Sequence, residues 1–384
     1  MHIEFATATR ILFGAGRQRE LGGLTRACGR HALIIAGRTK ERPRQVTEIL
    51  AAENVAAHVF HLSGEPTVHD VREGARLARE ENCDCVIGLG GGSALDAAKA
   101  IAALLTNPGD LFDYLEVVGR AQPLRQPSAP CITVPTTAGT GAEVTRNAVL
   151  ASPEHRFKVS LRSPFLLPKL ALVDPELTYE LPPHLTATTG LDALTQLIEP
   201  YVSHRANPLT DGFCTEGLRR AARSLIKAYT DGHDTQARED MALASLLSGL
   251  SLANAALGAV HGFAAPLGGT YSAPHGAFCA ALLPHTMKIN IQALRQRQPD
   301  SVALQRYREL ARILTGSEDA AAENGVQWVS QTCSALGIKP LRALGVEAAH
   351  FPELVGKAAQ SSSMKGNPIL LTEEEMREIL ERAF

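Results

Sequence analysis

The sequence predicts a two-domain protein, an N-terminal α/β domain on a parallel sheet (residues 1–182) followed by an all-helical domain (residues 183–384). Three observations carry this. Strand-like and helix-like segments alternate through the first half, the pattern of a parallel sheet covered on both faces. The paired prolines Pro182 and Pro183 then break the chain, and beyond Thr186 one helical segment follows another. A chain of 384 residues also exceeds what one hydrophobic core usually serves.

The elements follow in order. Ile3–Phe13 alternates in polarity and reads as strand. His31–Gly37 is an apolar strand, Arg42–Asn54 a helix with apolar residues at helical spacing, Val55–Leu62 a second strand and Val68–Asn82 a strongly amphipathic helix. A third strand, DCVIGLG, runs through Gly90, Gly91 and Gly92 into an alanine-rich helix carrying Asp96 and Lys99, and Cys131–Pro135 is a fourth. In the second half, TATTGLDALTQLIEPYVS, TDGFCTEGLRRAARSLIKAY, AREDMALASLLSGLSLANAAL and VALQRYRELARIL are helices. The last, TEEEMREILERAF, opens with a capping-box pattern at Thr372 and Glu375.

Composition excludes several classes of function. The formal net charge is −2, so there is no basic excess for nucleic-acid binding. The N-terminus lacks a basic-then-apolar leader and no apolar run reaches spanning length, so no membrane partner is expected. The seven cysteines are scattered, which points to thiols in a reducing, cytoplasmic setting. Cys83 and Cys85, if both lie in a strand, point to one face, but their spacing is not that of a zinc site.

Two loops look able to hold phosphate. The glycine triplet lets a ligand approach the backbone, and the first turn of the helix after it offers unpaired amides and a partial positive charge. Thr136–Gly141, at the end of the fourth strand, adds the hydroxyls of Thr136, Thr137 and Thr140. Both loops fall beyond the carboxyl ends of strands, where such sheets bind ligands. In the helical half Asp192 and Gln196 are four residues apart and share a helix face, while His261 and His275 lie on other segments. A carboxylate and two imidazoles that converge suit a divalent metal.

The ordered set GGGSALDAAK, PTTAGTGAEVT, LVDPELT, GLDALTQLIEPYVS, NAALGAVHGFAAPLGG, APHG and LLPHTMKIN resembles the iron-containing (group III) alcohol dehydrogenase family. The resemblance implies a Rossmann-like nucleotide-binding domain joined to a helical metal domain, a dehydroquinate-synthase-like architecture. It further implies an NAD(P)-dependent oxidoreductase acting on a small alcohol, aldehyde or ketone, as a homodimer or higher homo-oligomer. Carried over by position, Gly91, Gly92, Ser93 and Asp96 match the pyrophosphate turn, Thr136, Thr137 and Thr140 the second nucleotide loop, Lys158 a lysine facing the cofactor and Asn147 a residue near the nicotinamide. After the first strand of the alternating series NAD-preferring relatives often carry an acid; here Gly37-Arg38-Thr39-Lys40 is basic, and Arg38 favours NADP(H) over NAD(H).

The family holds its metal with one aspartate and three histidines. Asp192, His261 and His275 match three of these, but the fourth position is Gln196, and a proton-relay histidine of many relatives is replaced by Ala265. Two arrangements stay open. In one, Fe²⁺ or Zn²⁺ is bound by Asp192, Gln196, His261 and His275. In the other no metal binds, and His261 or His275 acts as general acid. A maleylacetate-reductase-like keto-acid reductase and a non-catalytic nucleotide-binding relative are the alternatives in function. Phe263, Leu267, Tyr271 and Phe278 are candidates for an apolar substrate pocket.

Overall fold

The computed structural model describes residues 3–155 and 157–384. By contacts the chain forms two units. One comprises Ala6–Thr137 and Gly141–Tyr179; the other comprises Ala138–Thr140 and Glu180–Phe384 with residues 3–5.

The first unit holds strands β1 (Ile11–Phe13), β2 (His31–Ala36), β3 (Ala56–His61), β4 (Cys85–Gly90), β5 (Cys131–Pro135), β6 (Asn147–Ser152), β7 (Phe157–Arg162) and β8 (Leu170–Val173). Its helices are α1 (Leu21–Arg26), α2 (Glu41–Ala52), α3 (Val68–Glu80), α4 (Gly92–Thr106) and α5 (Leu111–Tyr114). Six strands make a parallel sheet in the order β1-β8-β5-β4-β2-β3. Its central strands are apolar on both faces because each face carries its own core. Leu33, Ile35, Val86 and Cys131 enter one cluster, while Ala32, Ile34, Ile87, Ile132 and Val134 enter the other. This is the period-2 alternation of a strand buried on both sides.

Several elements differ from the sequence-based expectation. Of Ile3–Phe13 only Ile11–Phe13 is strand, and it pairs with β8 at the edge of its own sheet. Here Asp174 accepts the amides of Gly16 and Gln18 and so ties the turn after β1 to the end of β8. Cys83 and Cys85 do not share a face: the strand begins at Cys85, and the two thiols join opposite core clusters. The antiparallel hairpin β6–β7 was not anticipated.

That hairpin is fastened to α4 by a buried charge pair. Lys99, fully buried, donates to the carbonyls of Ala142 (2.9 Å) and Asn147 and to the Thr145 hydroxyl (3.0 Å), and lies 2.9 Å from Asp96 Oδ1. Asp96 Oδ2 accepts the Val149 amide at 3.0 Å.

The second unit is helical among its described residues: α6 (Pro183–Val202), α7 (Pro208–Thr230), α8 (Thr235–Ala255), α9 (Ala259–Thr270), α10 (His275–Arg297), α11 (Val302–Thr315), α12 (Ala322–Ala335), α13 (Phe351–Gln360) and α14 (Glu373–Ala383). The capping box expected at Thr372 and Glu375 is formed. Helices α8 and α9 meet at a 100° bend, and no single described helix is long and apolar enough to cross a membrane. At this bend Ala256 has φ 62° and ψ 171°, a region that is costly for any residue but glycine.

Two outcomes follow for the first unit. Replacing Lys99 by Met strands the Asp96 carboxylate and two buried carbonyls, so stability measured by urea unfolding falls by about 3–5 kcal/mol, and Asp96→Asn in the same chain recovers part of it. Glu143 is buried beside Lys99, and burial pushes its carboxyl from 4.5 up to about 7. Because the folded value is raised, the stabilising effect of protonation is complete below pH 4.5 and is lost as pH rises through 7. Glu143→Gln therefore flattens the stability profile across that window and leaves the variant more stable at pH 8 by about 3 kcal/mol.

Candidate active site

The first component lies at the switch point of the sheet. From β2 the chain moves outward to β3, and from β4 it moves to β5 on the other side, so the loops after β2 and β4 diverge. A cavity opens there, lined among others by Gly37, Thr39, Arg42, Gly91, Ser93 and Thr136. Close packing shapes it. A side chain at Gly88 would place its Cβ 2.9 Å from Ala98 Cβ, and one at Gly91 would stand 3.3 Å from Thr137. Thus α4 is drawn against β4 with its first turn, from Gly92, facing the cavity, and the Thr136 amide donates to the Gly90 carbonyl at 2.9 Å. The start of a helix beside glycine, where the backbone carries partial positive charge, suits a pyrophosphate.

The sequence-derived residues of this unit divide. Gly91, Ser93 and Thr136 line the cavity. Asp96 does not, since its carboxylate serves Val149 and Lys99. Arg38 donates its Nε to the Ser63 carbonyl at 2.7 Å, and the cationic side chain in the lining is Arg42. Lys158 pairs with Glu65 at 2.7 Å, and Asn147 opens β6 with its carbonyl on Lys99. Thr137 packs on Gly91, while Thr140 belongs to the helical unit.

In that helical unit, α6, α9 and α10 bring together Asp192, His261, His275 and Cys279, whose donor atoms all lie within 4.8 Å of one another. Gly276 makes the approach possible: a Cβ there would stand 2.2 Å from the Thr188 carbonyl, so the start of α10 lies directly on α6. Asp192 Oδ1 is buried without a hydrogen-bond partner and faces His261 Nε2 at 3.4 Å and His275 Nε2 at 3.8 Å. Cys279 Sγ is 3.6 Å from His275 Nε2 and 3.9 Å from His261 Nε2.

Glu199 organises the cluster from behind. Its Oε1 accepts the Val260 amide at 2.7 Å, and its Oε2 lies 2.6 Å from His261 Nδ1. The imidazole is thereby held with Nδ1 toward the carboxylate and Nε2 toward the cluster, the carboxylate–histidine arrangement that supports metal ligands. Gln196 turns its Oε1 to the Ser248 hydroxyl (3.0 Å) and its amide to Asp192.

Electrostatics in this pocket favour a cation. Burial opposes charge on Asp192, but His261, His275 and the Gln196 amide outweigh it and hold the carboxyl below its usual range. Burial also opposes protonation of His261 and His275, yet Cys279 and Asp192, with Glu199 for His261, raise both. An orphaned carboxylate oxygen, two oriented imidazole nitrogens and a sulfur are the donor chemistry of a divalent transition metal.

Sequence reasoning missed Glu199 and Cys279. The usable signal was helical spacing, since Glu199 lies seven residues after Asp192 and Cys279 four after His275, each on its ligand's face. The proposed apolar pocket residues are otherwise engaged. Phe263, Leu267 and Phe278 are fully buried, and the Tyr271 hydroxyl bonds to His350. Ala265 is exposed.

The fold, a nucleotide-binding α/β unit followed by a helical unit whose donor cluster could hold a metal, is that of a dehydrogenase. Two family models match the chain, iron-containing alcohol dehydrogenase over residues 8–175 and the C-terminal part of the Fe-containing alcohol dehydrogenase family over residues 186–384. Alcohol dehydrogenase 4 of Schizosaccharomyces pombe is 38% identical over 342 residues, covering 88% of this chain and 78% of that protein. A crystal structure of 1,3-propanediol oxidoreductase superposes with a TM-score of 0.93 at 32% identity over all of both chains. Sulfoacetaldehyde reductase of Bifidobacterium kashiwanohense, solved with NAD⁺, gives 0.87 at 28% identity over 99% of this chain and 98% of the other. The chain belongs to the iron-containing alcohol dehydrogenase family and is an NAD(P)-dependent oxidoreductase acting on CH–OH groups.

Glu199→Gln keeps the shape of this support and removes its charge. Titration against a chelator should show metal affinity lowered about 10–100-fold.

Proposed function

We propose that the protein is an NADP(H)-preferring reductase of small aldehydes or ketones, and an oxidant of the matching alcohols, working with a divalent metal. The observation that carries the metal dependence is the buried Asp192 Oδ1, without a hydrogen-bond partner and facing two imidazole nitrogens. When bound, Fe²⁺ or Zn²⁺ supplies Lewis-acid polarisation of a carbonyl oxygen. Nicotinamide supplies or accepts the hydride. Asp192, His261 and His275 hold the cation, with Glu199 orienting His261 and Gln196 bracing Asp192.

The preference for NADP(H) is supported by the chemistry after β2. Gly37 offers no carboxylate to repel a 2′-phosphate, and Thr39 and Arg42 line the cavity, with Arg38 and Lys40 in the same stretch. Seven cysteines without a disulfide support a cytoplasmic setting, and a homo-oligomer is the proposed assembly.

Steady-state kinetics with a panel of short and medium aldehydes test the whole reading. Expected are a kcat/KM for NADPH about tenfold or more above that for NADH, as befits one charge-assisted contact, and loss of turnover on chelation that Fe²⁺ or Zn²⁺ restores. A clear NADH preference refutes the cofactor assignment, and full activity in metal-free protein refutes the metal.

A further inference from the structure

We propose that Cys279 is a ligand of the metal held by Asp192, His261 and His275, taking the place that sequence pattern gives to Gln196. Its thiolate then biases the site toward zinc over iron. This rests on the metal-dependent reading above.

Geometry points to sulfur and away from the amide. A tetrahedral ion with bonds of about 2.0–2.3 Å has donor–donor edges of about 3.3–3.6 Å. Four of the six edges are 3.4 Å (Asp192–His261), 3.8 Å (Asp192–His275), 3.6 Å (His275–Cys279) and 3.9 Å (His261–Cys279), and the other two lie within 4.8 Å, a cluster that an ion would draw in to tetrahedral edges. Cys279 stands one helical turn beyond His275, so both project from one face of α10. Gln196 Oε1, in contrast, is already engaged by Ser248.

Charge balance agrees. Binding of a divalent ion requires the sulfur as thiolate and both imidazoles neutral, with every displaced proton released to solvent, and the thiolate with the Asp192 carboxylate then neutralises the ion in a pocket where both side chains are buried. The full donor set is then one carboxylate, two imidazoles and one thiolate. Thiolate is a soft ligand, and adding it to imidazoles shifts preference toward Zn²⁺ and Co²⁺ and away from Fe²⁺. The same thiolate donates more charge than the histidine it replaces, so the ion is a milder Lewis acid than in relatives with three histidines.

Full-length protein, stripped with chelator and reloaded with one equivalent of Zn²⁺ or Co²⁺, decides the matter without reference to activity. X-ray absorption of the zinc form should show one sulfur at about 2.3 Å, and the cobalt form should show a thiolate-to-metal charge-transfer band in the near ultraviolet. Both signals should vanish in Cys279→Ser, with zinc affinity lowered about tenfold or more and the zinc-over-iron preference reduced. Cys279→Ala serves as a second variant, and the wild-type spectra stand even if neither variant folds. One bound equivalent with only nitrogen and oxygen donors, or a Cys279→Ser protein that keeps band and affinity, overturns the role of Cys279 and leaves the metal site standing. Wild-type protein that retains no metal overturns both.

Discussion

The donor cluster depends on a single carboxylate. Glu199 accepts the Val260 amide in the first turn of α9 and holds His261 Nδ1, so one side chain sets where that helix begins and which ring nitrogen its histidine presents. A carboxylate buried without partners would be costly. Here the positive end of a helix and an imidazole N–H compensate it. Asn367 completes the arrangement by accepting the Ala259 amide while bonding to Asn290. The fit is tight, since a Cβ at Gly258 would lie 2.9 Å from Glu199 Oε1.

The nucleotide-binding unit is organised by a comparable economy. The alanines of α4 exist because the helix must lie almost in contact with β4, and Gly88 removes the last obstacle. That approach sets the first turn of α4 at the divergence of the sheet, where Ser93 and Ala94 line the cavity. Farther along the same helix, Asp96 and Lys99 turn to the β6–β7 hairpin, while Ser93 lines the cavity.

Long periodic segments were legible in the sequence. The strands His31–Ala36 and Cys85–Gly90 emerge as apolar runs of six residues, and the helices around them as longer segments with apolar residues at helical spacing. Leu170–Val173, four residues long, carries too little pattern to be distinguished from loop, and the alternation of Ile3–Phe13 overstated a strand that is only Ile11–Phe13. At the site, Asp192, His261 and His275 were visible by residue type. Glu199 and Cys279 were not, because an acid in a helix and one cysteine among seven look ordinary until the helices cross.

The amino-acid order by itself determined the α/β-then-helical organisation, the position of the glycine turn and the family resemblance, since all three reside in local pattern and ordered motifs. Tertiary structure alone decided which polar atoms are spoken for. Asp96 and Gln196 found partners within the fold, while Asp192 Oδ1 was left without one and Cys279 was brought beside two imidazoles. The reason is physical: whether a buried donor or acceptor is satisfied depends on neighbours in space, and those come from segments far apart in the chain.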